Sequence, residues 1–182
     1  FYRGKNILAC VGAALAVALT IAGCSSGQGS ATNSNGSKSP LTIGELFPFT
    51  GSKAQLSTWG THGVATGIYE INHNGGVLGH QLQSKSADDA ADSVDALPAL
   101  RKLFLDNPVA VVGPFSPTIM SVINNFEPSN VVDFMIGGAT QLDHMQKPFV
   151  FRTTASDSTE AAAMAYYAVK EKGYTTASLM FD

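Results

Sequence analysis

Cysteine is almost missing from this chain. Cys10 and Cys24 are the only two, so residues 25–182 can form no internal disulfide and must be held together by core burial. Basic clusters are missing as well. Eleven Lys and Arg stand against 14 Asp and Glu, a net charge of −3 with no run of one sign, which speaks against nucleic acid as a partner. Residues 41–182 lack the His-Glu-x-x-His, Gly-x-Ser-x-Gly, P-loop and Gly-x-Gly-x-x-Gly patterns that place a metal, a nucleophile or a nucleotide phosphate. The histidines, His62, His73, His80 and His144, stand apart. Asp88, Asp89, Asp92 and Asp95 crowd together, but their spacing misses the calcium loop of the EF-hand. A solvated loop followed by negative charge at a helix start is the simpler reading. The sequence offers no catalytic constellation and implies neither cofactor nor metal.

What is present begins with Ile21-Ala22-Gly23-Cys24. Arg3 and Lys5 lie upstream, and everything from Ile7 to Ile21 is apolar or small. A charged start, an apolar stretch of about 15 residues and small residues at the cut describe a secretory signal. The stretch is short for a membrane span of about 20 residues, which weighs against an uncleaved anchor. The cysteine at the cut resembles the lipobox of bacterial lipoproteins. That resemblance implies removal of residues 1–23, acylation (palmitate or a similar chain) of the Cys24 thiol, and work outside the cytoplasm at a bacterial membrane. Ser25 to Pro40 holds six Ser, three Gly and no Leu, Ile, Val or aromatic residue. Such a segment cannot offset its ordering entropy by burial and reads, with Cys24, as a flexible tether over 24–40, reaching roughly 20–25 Å as a random coil.

From Leu41 the hydrophobic period alternates between strand and helix. Leu41 to Leu46 predicts a strand, and Phe47 to Ser57 a loop. Val64, Ile68 and Ile71 mark a helix from about Thr58 to Asn74, stopped by Gly75-Gly76. Gln81 to Ala87 is a short strand. Ser93 to Asp106 is a helix with Leu97, Leu100, Leu103 and Phe104 inward, which Pro98 should kink or shorten. The run Val109 to Val112 has the continuous apolar character of a strand in a parallel sheet. Ser116-Pro117 reads as N-cap and N1 of a helix whose inner face is Ile119, Val122, Ile123 and Phe126. Val131 to Ile136 and Phe149 to Arg152 are further strands. Asp157 and Glu160 resemble a capping box for a helix with Ala161, Met164, Ala165 and Ala168 inward, closed by Gly173. Ala177 to Phe181 reads as one more strand. A terminal strand this apolar needs neighbours, so the 182 residues are expected to be the N-terminal part of a longer protein.

Strands and helices in alternation imply βαβ units, hence an α/β fold with a parallel sheet flanked by helices. In open sheets of this kind ligands sit beyond the carboxyl ends of the strands, at a topological switch point. The candidate loops are then Phe47 to Ser57, Asp88 to Asp92, Gly113 to Thr118 and Gly137 to Leu142. In Gly113 to Thr118, free N–H groups and the Ser116 and Thr118 hydroxyls would suit a carboxylate. Gly137-Gly138-Ala139-Thr140 would let a ligand come close to the backbone. Trp59, the single tryptophan, either walls a pocket or fills the core.

Six segments together resemble the bacterial periplasmic substrate-binding proteins of the Leu/Ile/Val-binding type, which serve ABC importers. They are TIGELFPFTG (42–51), EINHNGGVLG (70–79), ADDAADS (87–93), VVGPFS (111–116), GGAT (137–140) and FRTTASDS (151–158). The resemblance implies two α/β lobes joined by a hinge and closing over a ligand. Residues 41–154 would then be most of the first lobe of a type I periplasmic binding protein, and 155–182 the start of the second. It also implies that the loops matching Phe115 to Thr118 and Gly138 to Thr140 hold the α-carboxylate and α-ammonium of an amino acid, and that the partner is an ABC permease. Pro117 stands where the family often has a second Ser, and Leu56 where amino-acid binders often carry an aromatic. The expected function is therefore delivery of a small polar molecule, an amino acid or related amide, by a protein that is not an enzyme. The alternative is a ligand-sensing receptor domain of the same fold.

Overall fold

The structure, a computed structural model, describes residues 38–180. The signal-like segment, Cys24 and the greater part of the tether lie outside the described residues, as do Phe181 and Asp182. Five strands form one sheet: β1 (Lys38–Phe47), β2 (His80–Asp88), β3 (Ala110–Phe115), β4 (Val132–Ile136) and β5 (Val150–Arg152). Their spatial order is β2-β1-β3-β4-β5, and every neighbouring pair is parallel. The helices are α1 (Gln55–His73), α2 (Ser93–Phe104), α3 (Ser116–Val122), α4 (Phe126–Ser129) and α5 (Asp157–Tyr166).

The main core lies on one face of the sheet, under α2, α3 and α4. Leu46, Ala87, Val111 and Met135 from the strands meet Ala96, Leu100, Leu103, Ile119, Val122, Ile123 and Phe126 from the helices. Gly44 belongs to this face. A side chain there would strike the Leu103 side chain and Val111, so its absence sets how closely α2 lies on β1. The other face of β1 carries Glu45 and Phe47, covered by α1 through Ser57, Gly60 and Val64. Glu45 is buried, and its Oε2 accepts from Ser86 Oγ at 3.0 Å and Thr61 Oγ1 at 3.5 Å.

Several expectations need correction. β1 begins at Lys38, three residues before the expected start, because Lys38 pairs with His80. α1 begins at Gln55, so its inner stripe starts with Ser57 and Gly60, while Ile71 is exposed. α2 runs through Pro98; proline there forgoes one i→i−4 bond, while Asp92 caps the start by accepting from Val94 N–H at 2.7 Å. Its buried face is Ala96, Ala99, Leu100 and Leu103, with Leu97 and Phe104 only partly covered. α5 has no buried residue: Ala161, Met164 and Ala165, expected inward, meet solvent because no described element packs on them. Its cap is Ser156, which accepts from Ser158 N–H. Ala177 to Met180 forms no strand, with Leu179 and Met180 91% and 99% exposed. A strand exists only by pairing, and this one has no described partner.

One core group is out of keeping with its surroundings. Asp133, on β4 beside Val111 of β3 and Val150 of β5, is fully buried, and neither carboxylate oxygen has a hydrogen-bond partner. Burial pushes this carboxyl up to about 9, because nothing near it compensates for a desolvated charge. The folded state then keeps a proton that the unfolded chain gives up above its ordinary carboxylate range. Stability should fall as pH rises from about 5 to about 8, by up to about 1.4 kcal/mol per pH unit from this residue. Asp133→Asn should flatten that dependence when urea unfolding is followed across this range. Parallel wild-type and variant profiles would refute it.

Candidate functional site

With strand order 2-1-3-4-5, the chain leaves β1 toward β2 on one side and returns to β3 on the other. The switch point lies between β1 and β3, where the connections diverge and leave a crevice at the carboxyl ends. All four expected loops follow the carboxyl ends of β1 to β4, and since the strands are parallel they share one edge.

Phe47 organises this edge. Its ring is fully buried and lies where a side chain at Gly60 of α1 or Gly113 of β3 would otherwise project. Gly113 has a φ of +95° and leads into a cis peptide bond with Pro114. Phe115 stacks at a tilt on Phe47, ring centroids 5.6 Å apart, and Phe49 lies 6.3 Å away on the β1 loop.

The aspartates after β2 hold the loops on either side. Asp88 accepts from the Phe49, Thr50 and Ala90 amides at 2.8, 3.3 and 2.9 Å and from Thr50 Oγ1 at 2.6 Å. Burial opposes its ionisation, but these donors outweigh it and hold the carboxyl below its ordinary value. Asp89 is fully buried and accepts from Thr118 Oγ1 at 2.7 Å and Ala91 N–H at 3.0 Å; its burial raises the carboxyl above its ordinary value. Reading all four aspartates as solvated charge is therefore corrected. Asp92 and Asp95 do mark the α2 start, but Asp88 and Asp89 are loop fasteners. Ala90 and Ala91, which follow them, adopt φ of 49° and 55°.

The expected cap is also corrected. Ser116 is the first residue of α3, the cap position falls on Phe115, and no side chain caps the helix. The strand runs on through Phe115, leaving Ser116 no room to sit outside the helix. Pro117 is exposed, and Thr118, 1% exposed, spends its hydroxyl proton on Asp89. Gly137 packs against Ser116, whose Oγ and backbone N occupy the place of a Gly137 side chain. At Gly138 that place is taken by the Asp157 carboxylate, and Asp157 N–H donates to Gly138 O at 2.8 Å. Ala139 is half-buried and Thr140, exposed, opens a 3-10 turn. The structure thus brings Phe115, Ser116 and Gly137 to Thr140 into adjoining loops. Trp59 is 68% exposed on α1, so it is not a core residue, and Leu56 is half-buried on the same helix.

Sequence reading missed Asp143 and what gathers on it. Arg152 Nη1 pairs with Asp143 Oδ1 at 2.8 Å, while Ser156 Oγ and Ser158 Oγ donate to Oδ2 at 2.8 and 2.6 Å. These bonds, the two serines ahead of the arginine, hold the Asp143 carboxyl down at about 2. Arg152 Nη2 also reaches Ala139 O at 3.1 Å. Arg152, Ser156 and Ser158 stand in the FRTTASDS segment, but no local periodicity links them to Asp143. Among the described residues, no group of three or more His, Cys, Asp or Glu could hold a metal ion.

Residues 40–182 match the periplasmic binding protein family, and the chain belongs to it. Leu/Ile/Val-binding protein BraC3 of Rhizobium johnstonii is 30% identical over 132 residues, covering 71% of this chain and 36% of that protein. Leu/Ile/Val-binding protein homolog 3 of Brucella melitensis gives the same identity and coverage. The chain thus spans about 36% of the length of these relatives. Among solved structures, the ABC transporter substrate-binding protein of Desulfitobacterium hafniense in complex with Leu is 28% identical, with a TM-score of 0.65 over 75% of this chain and 40% of that one. The branched-chain amino acid transporter substrate-binding protein LivJ of Streptococcus pneumoniae, in complex with isoleucine, shares the fold at 23% identity, with a TM-score of 0.63 over 74% of this chain and 39% of that one. The parallel sheet flanked by helices is thus of the type I periplasmic binding protein kind. The family is one of periplasmic binding proteins, which implies a location outside the cytoplasm.

Gly137 and Gly63 make a paired test. Gly137→Ala drives a methyl into Ser116 and should destabilise by about 1–3 kcal/mol. At Gly63, nothing lies within 4 Å of the missing side chain, so Gly63→Ala should stabilise α1 by about 0.5–1 kcal/mol. Urea midpoints check both; equal effects would show that the Ser116 contact does not constrain the loop.

Proposed function

We propose that this periplasmic binding protein chain is part of a lipid-anchored solute receptor that delivers an amino acid or related amide to an ABC permease. The observation that carries the ligand assignment is the convergence of the β3 and β4 loops beside the switch point, with Ser116 seated against Gly137. Ser116 and the backbone of Gly138 and Ala139, with Thr140, would take the polar groups of the ligand. Phe115 and Trp59 would supply apolar walls, and Pro117 would shape the α3 start. Thr118 would act from beneath, since its bond to Asp89 fixes that start. The Leu complex of the 28% identical Desulfitobacterium hafniense protein supports an aliphatic amino acid.

On this reading, residues 155–182 begin a second lobe. The uncovered face of the helix after β5 supports it. α5 buries none of its apolar residues. On the α1 side of the sheet, Ile43, Ile68, Val112 and Phe134 line an apolar groove of about 340 Å³, beside which Phe134 and Phe151 stack at 5.9 Å. Ligand capture would proceed by hinge closure, the closed form being what a permease recognises.

A thermal-shift panel of aliphatic amino acids, short amides, urea and aromatic acids tests the ligand class. An amino acid at 100 times its dissociation constant should stabilise the protein by about 2.7 kcal/mol. A shift with aromatic acids alone would refute the assignment. The anchor is tested separately, since Cys24→Ser should move the protein from the membrane to the soluble fraction of the producing bacterium. Unchanged membrane association would refute lipidation.

A further inference from the structure

The segment Arg152 to Ser158 is attached to the loop after β4 almost entirely by polar groups. Asp143, at the end of that loop, accepts from Arg152, Ser156 and Ser158. Arg152 reaches back to Ala139 O, Asp157 N–H to Gly138 O, and Thr153 donates from N–H and Oγ1 to Met135 O at 3.0 and 2.8 Å. The Asp143 and Arg152 side chains are 17% and 18% exposed, so water competes only in part for their pair. α5, which follows, has no buried residue to hold it. Its position relative to the β4 loop therefore depends on these bonds and on the close approach of Asp157 to Gly138, with no apolar burial to hold it.

We propose that Asp143 is a positioning residue that fixes the Gly138–Thr140 loop to the first turn of α5, so that the two move as one body. The ligand loop would then travel with the segment that leads out of the first lobe, and closure about that segment would carry the loop with it. This part rests on the ligand assignment above; the mechanical link does not. Arg152 has a distinct share. Its fork spans Asp143 and the Ala139 carbonyl, a geometry that lysine cannot reproduce.

Backbone hydrogen exchange on the full chain tests the link without any ligand. Asp143→Ala should speed exchange of the amides of residues 139–142 and 157–160 by about tenfold or more, because the bonds from Arg152, Ser156 and Ser158 that tie the end of the loop to the α5 start go at once. Exchange of the β1 and β3 core amides should stay as in the wild type. Arg152→Lys should loosen 139–142 while leaving 157–160 protected, since Ser156 and Ser158 keep their acceptor; a purely structural role would move both together. The wild-type to variant ratio should hold from about pH 5 to about pH 8, far above where Asp143 titrates. An increase confined to α5, or none in either segment, would overturn the proposal. L-leucine failing to bind wild type would sink the ligand assignment and leave the link standing. Unchanged exchange in Asp143→Ala with L-leucine binding intact would sink the link alone.

Discussion

The constraint on which the rest depends is the close fit of Phe47 between Gly60 and Gly113. One aromatic ring at the carboxyl end of β1 occupies space that side chains on α1 and β3 would otherwise claim. That fit draws α1 onto the sheet and seats β3 beside β1, which creates the switch point. It also brings Phe115 against Phe47, so the turn into α3 starts from a fixed place. From there Ser116 meets Gly137, and the β4 loop is placed in turn. The edge is thus built by successive close approaches that only small residues allow.

Polar groups complete what packing begins. Asp88 and Asp89 are adjacent, yet one faces the β1 loop and the other the α3 start. Their opposite pKa displacements follow from this: Asp88 gathers donors enough to outweigh its burial, and Asp89 does not. Asp133 is the extreme case, a core carboxyl with no partner at all. A group so placed lowers stability at neutral pH and tightens the coupling of fold to protonation. Asp143 lies at the other end of the range, held ionised by donors from three residues.

Much of the architecture could be read from the residues. The apolar run before Gly113 located β3, though Val109 is exposed and Ala110 and Val112 are only half-buried, and the Ile119, Val122, Ile123, Phe126 spacing gave the buried face after it, though the one helix expected there is divided into α3, a 3-10 turn and α4. The four edge loops followed from strand and helix alternation alone. What failed had other causes. The Ser116 cap failed because β3 pairs with β4 through Phe115 and passes straight into α3, so the cap position falls one residue earlier than expected, a matter of register that no local signal carries. The inward face of α5 failed because periodicity says which side is apolar but not whether anything covers it. The Asp143 cluster joins residues far apart in the chain through a turn whose shape the sequence does not announce. Thr118 looked like a ligand hydroxyl because it stands with Ser116 at an expected helix start, and only the depth of Asp89 shows where its proton goes.

The central claim is that the carboxyl edge of β3 and β4 is where a small zwitterion binds. The most direct measurement is a titration of the isotopically labelled protein with L-leucine, following backbone amide resonances. The account predicts saturable shifts at Phe115, Ser116 and Gly138 to Thr140, with Gly63, Gly67 and Phe134 along the apolar groove unmoved. Saturable shifts centred on that groove, or none at the β3 and β4 loops, would contradict it.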